Sequence, residues 1–353
     1  MTTRLFKQGS ILYGLFGTWY NALLTLLSVW LIVEWVPPLL DWGIVSAKTE
    51  PDPAACRASF GACWGFITEK HRLILFGGYP FEHQWRPLIT SIVFIVLLVT
   101  SCNKRFWQPS LIAAWILGLI GMFVLMRGGV LGLPVVETAR WGGLPLTLIL
   151  AVFGLAIAFP FAIILALGRR SRLPVIRALC ITFIEVVRGV PLISLLFMAS
   201  VMVPLFLPEG LTVDKLNRAE IGLIIFAAAY SAESVRGGLQ ALNRGQEEAA
   251  DALGLSYFDK TWRIVLPQAL RIAIPSITNN FISTFKDTSL VVVIGMFDLL
   301  GALKAGLNDA QWRTFYVEGY LFVAAIYFVF CIGMSKYAQY LENDIGRTTA
   351  KAS

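Results

Sequence analysis

Charge is scarce in this sequence. Only 14% of its 353 residues are charged and 57% are apolar, whereas a soluble domain carries about 25% charged residues. Histidine is nearly missing, with His71 and His83 the only two, which weakens most hydrolase readings. No G-x4-G-K-[ST] occurs, so the chain has no phosphate-cradling Walker loop. No G-x-S-x-G and no H-E-x-x-H occurs either. There is no low-complexity segment and no internal repeat. Together these shortages exclude disorder, a disulfide-stapled mini-protein and a soluble enzyme.

What is present is apolar length. Mean hydropathy is +0.71, and the apolar residues cluster into runs that reach the roughly 20 residues needed to cross a bilayer. The expected class is an all-α polytopic membrane protein with about eight transmembrane helices. They are expected at about Leu15–Pro37, Pro87–Cys102, Leu111–Met126, Leu144–Leu167, Val175–Phe206, Ile221–Ser231, Ile274–Leu300 and Phe315–Tyr337. The fifth is interrupted near Gly189-Val190-Pro191 and the seventh has a polar centre. The first run is longer than a signal-peptide core and is read as an uncleaved helix.

The net charge is +7. In a membrane chain this reflects basic residues held in cytoplasmic loops, not nucleic-acid binding. With the N-terminus inside, the cytoplasmic segments hold 16 Lys and Arg, among them Arg4, Lys7, Arg169, Arg170, Arg347 and Lys351, against 11 outside. That bias favours both termini in the cytoplasm. The chain then divides into residues 1–140, with three helices and a long outside loop at about 41–86, and residues 141–342, with five helices and a cytoplasmic loop at about 240–271. A short cytoplasmic tail, 343–353, follows.

The cytoplasmic loop carries Glu248-Ala249-Ala250-Asp251-Ala252-Leu253-Gly254 and, further on, Ile264-Val265-Leu266-Pro267. Helix formers end at Gly254, which suits a left-handed helix cap. A second short helix is expected at about Tyr257–Val265, with Pro267 restricting the chain before the seventh span. Two short helices with an acidic first turn and a small-residue face suit docking into another protein's groove, or resting on the bilayer surface; the residues alone leave both open.

The spacing E-A-A-x3-G-x9-I-x-L-P resembles the coupling loop of ABC-type import permeases. Four further stretches resemble the polar amino-acid permease subfamily: Glu185 to Leu192, Ala232 to Leu239, Leu266 to Arg271 and Phe285 to Leu290. The likeness covers about residues 141–342. The three extra helices and the cysteine-bearing loop are similar to the broad-specificity L-amino-acid permeases of Gram-negative bacteria. Ser234 departs from the pattern, where such permeases often carry a bulkier apolar residue.

The resemblance implies a type I importer core of five helices plus three N-terminal ones in the bacterial inner membrane. It implies that Glu248, Ala249, Ala250, Gly254, Ile264, Leu266 and Pro267 couple the chain to a separate dimeric cytoplasmic ATPase, with Glu248 meeting a basic group there. ATP and magnesium would bind that ATPase, and no cofactor this chain. A second permease subunit, identical or related, and a periplasmic amino-acid-binding protein would complete the assembly. L-amino acids, polar ones and a broad range, would cross by alternating access. An ion-coupled secondary transporter is the alternative and predicts repeat symmetry. An intramembrane enzyme is a third reading, without a motif to support it.

Ionisable groups inside spans are costly and mark candidate sites. Glu185 and Arg188 are at i, i+3 and can pair on one helix face, as a structural ion pair or as pathway lining beside the helix break. Glu233 and Arg236 repeat that spacing. Asn279, Ser283 and Lys286 share a helix face, and Lys286-Asp287-Thr288-Ser289 interrupt the seventh span. These residues either set helix packing or line a path for a zwitterion, which needs an anion for its ammonium and donors for its carboxylate. In the outside loop, Cys56 and Cys63 form a disulfide or stay as two thiols, with a zinc site beside His71 and His83 the least fitting option because the spacing is not that of structural zinc. Trp42, Phe60, Trp64 and Phe66 are expected as an interfacial aromatic belt.

Overall fold

The computed structural model describes residues 11–130, 132–208 and 212–350. Arg4, Lys7 and Lys351, and the side chain of Arg347, lie outside the described residues. The longer helices are α1 Trp19–Leu40, α2 Trp85–Ser101, α3 Pro109–Arg127, α4 Gly143–Arg169, α5 Pro174–Gly189, α6 Leu192–Phe197, α7 Lys215–Ala241, α8 Arg244–Ala252, α9 Leu266–Asp287, α10 Leu299–Leu307 and α11 Tyr316–Ala350. The architecture is all-α, as expected. One two-residue strand, Phe297–Asp298, bridges to Gly142 and Gly143.

Among the described residues, five stretches are long and apolar enough to cross a membrane: Trp19–Val45, Phe81–Ser101, Pro109–Arg127, Gly143–Arg169 and Tyr316–Asp344. A sixth arises if the pair Pro174–Gly189 and Leu192–Leu205 is one span, bent by 104°. The expected eight also counted α7 and α9. Both helices form, and both are long, but they carry too many polar groups to qualify on composition. The expected seventh run, about 274–300, is also corrected. α9 ends at Asp287, a tight 3-10 stretch takes Thr288–Ile294, and Gly295 at φ 73° turns the chain. Asp298 then caps α10 by accepting from the Gly301 N–H.

The chain forms two compact units, residues 1–71 with 310–319 and residues 72–309 with 320–353. In the smaller unit the outside segment is folded rather than a plain loop. Asp52 accepts from the Ala54 N–H and Pro53 starts the helix Pro53–Ala58, the pairing of cap and first-turn proline that favours initiation. Cys56 and Cys63 are joined by a disulfide. Phe66 is fully buried and packs on Trp312, ring centres 5.9 Å apart, so it belongs to this unit's core and not to an aromatic belt. The buried Glu318 accepts from the Cys63 N–H at 2.8 Å.

The larger unit is built around α4 and α7. Leu146, Leu148, Leu150, Leu196 and Leu223 are wholly or almost wholly buried there, with Phe285 and Val291 packed beside them. A second cluster includes five alanines, Ala162 and Ala166 from α4, Ala232 from α7, Ala269 and Ala273 from α9, among larger aliphatic side chains. Small side chains let helix backbones approach closely where lipid supplies no hydrophobic drive. At the tightest point a Cβ on Gly238 of α7 would lie 2.2 Å from the Ala269 carbonyl oxygen of α9. Arg86, counted above as a loop charge, is in α2 and fully buried. It donates to the carbonyls of Leu125, Met126 and Pro134, a cation placed on the negative end of α3. Tyr79 donates to the same Met126 carbonyl at 2.8 Å. Burial raises its hydroxyl to about 12, with the Arg86 charge opposing the shift, so the phenol stays a donor.

A side chain at Gly238 must force α7 and α9 apart. Gly238→Val is expected to cost about 1–3 kcal/mol or more, the range for overpacking, and to lower the melting temperature of the detergent-purified protein. An unchanged melting curve would contradict the close approach.

Candidate functional site

α8 begins at Asn243, whose side chain accepts from the Gly245 N–H at 3.0 Å. It ends in a two-bond cap. The Gly254 N–H donates to the Asp251 carbonyl and the Leu255 N–H to the Ala250 carbonyl, the reciprocal pair that closes a helix when the next residue is left-handed. Gly254 has φ 71°, and a Cβ there would meet nothing within 4 Å. The need for glycine is therefore one of backbone conformation and not of space. Ser256 caps the following turn by accepting from the Asp259 N–H at 3.1 Å.

The second arm starts as Tyr257–Asp259, widens into a π turn over Lys260–Val265 and runs on into α9. Pro267 lies in the first turn of α9. It does not interrupt the rod, because a proline is tolerated in the first turn of a helix. Two ion pairs brace the hairpin. Arg170, at the end of α4, reaches Glu247 at 2.8 Å, and Lys260 reaches Asp251 at 2.6 Å.

The seven expected coupling residues divide by direction. Ala250 and Leu266 are buried and Ile264 is half-buried, so these hold the hairpin together. Glu248, Ala249, Gly254 and Pro267 are exposed. Beside them stand three apolar side chains that the motif did not mark: Leu253 at 78% exposure, and Tyr257 and Phe258 at 67% each. Their signal in the sequence is slight, since an apolar residue in a loop reads the same whether buried or not. The result is an outward surface of one carboxylate beside an apolar knob.

A second polar cluster joins α4, α5 and α7. Glu233 accepts from Arg236 at 2.8 Å, through Nε, and meets Arg169 at 3.4 Å and Arg188 at 3.9 Å. Arg169 also donates to Glu185 at 2.9 Å. The pairing of Glu185 with Arg188 is thus corrected: each faces a charge on a neighbouring helix instead. The i, i+3 pairing of Glu233 with Arg236 is present. Sequence spacing shows which residues share one helix, but not which neighbour stands across from it, so Arg169 was missed.

On α9, Asn279, Ser283 and Lys286 are exposed along one face. Thr288 is fully buried and donates to the Phe285 carbonyl at 2.8 Å, so it does not line an open path. Asp287 and Ser289 are half-buried at the helix end. Asn280 donates to the Ser234 hydroxyl at 2.8 Å, and Ser234 and Ser276 share a hydroxyl bond at 2.7 Å. The residue that departs from the family pattern is the middle of a chain linking α7 to α9.

Residues 158–347 match the family described as binding-protein-dependent transport system inner membrane component. The chain is 46% identical to the inner membrane amino-acid ABC transporter permease protein YhdY of Escherichia coli, over 95% of this chain and 92% of that one. It is 37% identical to the glutamate/glutamine/aspartate/asparagine transport system permease protein BztC of Rhodobacter capsulatus, over 91% and 89%. Among solved structures it is similar to an amino acid ABC transporter crystallised with histidines, at 32% identity and TM-score 0.51, over 57% of this chain and 92% of that one.

The left-handed turn makes a local prediction. Gly254→Val should speed hydrogen exchange at the Leu255 amide about tenfold, equal to ~1.4 kcal/mol of backbone strain. Gly254→Asn, which tolerates that conformation better, should speed it less. Equal exchange in all three proteins would contradict the cap.

Proposed function

The chain belongs to the family of binding-protein-dependent transport system inner membrane components, and on that premise we propose that it is the permease subunit of an ATP-driven importer of L-amino acids. It is a multi-pass membrane protein with an importer-type permease core. The observation that carries the mechanism is the hairpin α8 with Tyr257–Val265, which exposes Glu248, Leu253, Tyr257 and Phe258 and is braced by two ion pairs. An apolar knob with one charge beside it suits the groove of a partner protein. The partner is a dimeric cytoplasmic ATPase, which binds ATP and magnesium itself. Nucleotide-driven closure of that dimer moves the hairpin. The braces to Arg170 and the unbroken rod into α9 carry the movement into the membrane.

A second permease subunit covers the exposed polar face of α9, formed by Asn279, Ser283 and Lys286, and a periplasmic binding protein delivers the substrate. Both termini lie in the cytoplasm. The amino-acid cargo follows from the names of the relatives, which support this reading over an ion-coupled transporter.

The test is uptake of labelled acidic, amide, basic and branched aliphatic amino acids. It uses cells lacking redundant systems, with the chain deleted, restored, or restored as Gly254→Asp. Deletion should abolish uptake of several classes, and only the unmodified chain should recover it. The variant should reach the membrane in normal amount and transport at background level. Unchanged uptake on deletion would overturn the amino-acid assignment. Full uptake by Gly254→Asp would overturn the coupling role.

A further inference from the structure

Arg188 is an arginine with too few partners. It occupies the last turn of α5, beside the 104° bend where the chain enters α6. Its Nε is buried and has no hydrogen-bond partner among the described residues. The carboxylate that it meets, Glu233, is 3.9 Å away and already accepts from Arg236 and Arg169. An unmet buried donor is costly, and more so on a charged group.

The guanidinium lies near an aromatic ring and is partly open. Its central carbon lies 5.4 Å from the centre of the Tyr230 ring, within cation–π range. Tyr230 donates to the Arg188 carbonyl at 3.4 Å and rests on Phe226, ring centres 4.6 Å apart. About a third of the Arg188 side chain, 32%, remains exposed. A planar fork beside an aromatic ring and short of acceptors is the arrangement that takes a carboxylate with two parallel hydrogen bonds. The helix break beside it is where irregular backbone lines a cavity in membrane proteins.

We propose that Arg188, in cation–π contact with Tyr230, receives the α-carboxylate of the transported amino acid. This rests on the amino-acid reading above and assigns that site its anchor. Glu233 acts as a tether that aims the guanidinium, and the two carboxylate oxygens of the substrate accept from its N–H groups. Arg188→Lys keeps the charge but loses the planar fork.

The experiment reconstitutes the whole complex, with binding protein and ATPase, in proteoliposomes. Uptake of labelled amino acid and ATP hydrolysis stimulated by the binding protein are measured on the same vesicles. Arg188→Lys should lower uptake at least about tenfold, the scale of a charge-assisted pair of hydrogen bonds, while stimulated hydrolysis stays within about twofold. Tyr230→Leu should match it, and Tyr230→Phe, which keeps the ring, should restore uptake. Uptake by Arg188→Lys at the unmodified rate would overturn the proposal. A parallel fall of uptake and stimulated hydrolysis would overturn it too, because it would assign Arg188 to packing or coupling. If the unmodified complex carries no amino acid, the amino-acid reading itself fails, and the ligand proposed here fails with it.

Discussion

Gly238 has no side chain, and the Ala269 carbonyl fills the place where one would begin. That contact sets the distance between α7 and α9, and much of the larger unit depends on it. In lipid, apolar surface gains nothing by turning inward, so helices associate through close packing and polar bonds. The alanines at 162, 166, 232, 269 and 273 extend the same logic to α4. Three helices at this spacing form a framework that larger side chains would have forced open.

The polar chemistry follows from the spacing. Ser234, Ser276 and Asn280 can bond across the α7–α9 contact because the backbones are near. Glu233 can gather arginines from α4, α5 and α7 for the same reason. Charges of this kind are tolerated in a membrane chain when they face each other or a cavity. Arg188 is the member left incompletely matched, and it stands where α5 gives way to α6.

The coupling hairpin rests on a different device. Its shape comes from one left-handed glycine and the two hydrogen bonds that close α8, and its attachment from ion pairs at Arg170 and Lys260. Its second arm continues without a break into α9, the helix that carries Asn279, Ser283 and Lys286. The smaller unit has its own core at Phe66 and Trp312 and its own disulfide.

The sequence by itself determined the class of the molecule, the places of most of its long helices and the form of its hairpin, because each of these is written in neighbouring residues. Long apolar runs make membrane helices whatever surrounds them, and Gly189-Val190-Pro191 and Gly254 alter the backbone where they stand. Asp52 with Pro53 carried the same kind of local signal, although the segment around it was read as a loop. What only the tertiary structure decided is which groups meet. Glu185 turned to Arg169 and not to Arg188, Thr288 was buried and not exposed, and Phe66 became core and not belt. A spacing of three or four residues tells which side chains share a helix face. The partner across from that face lies tens of residues away, and helix packing alone selects it.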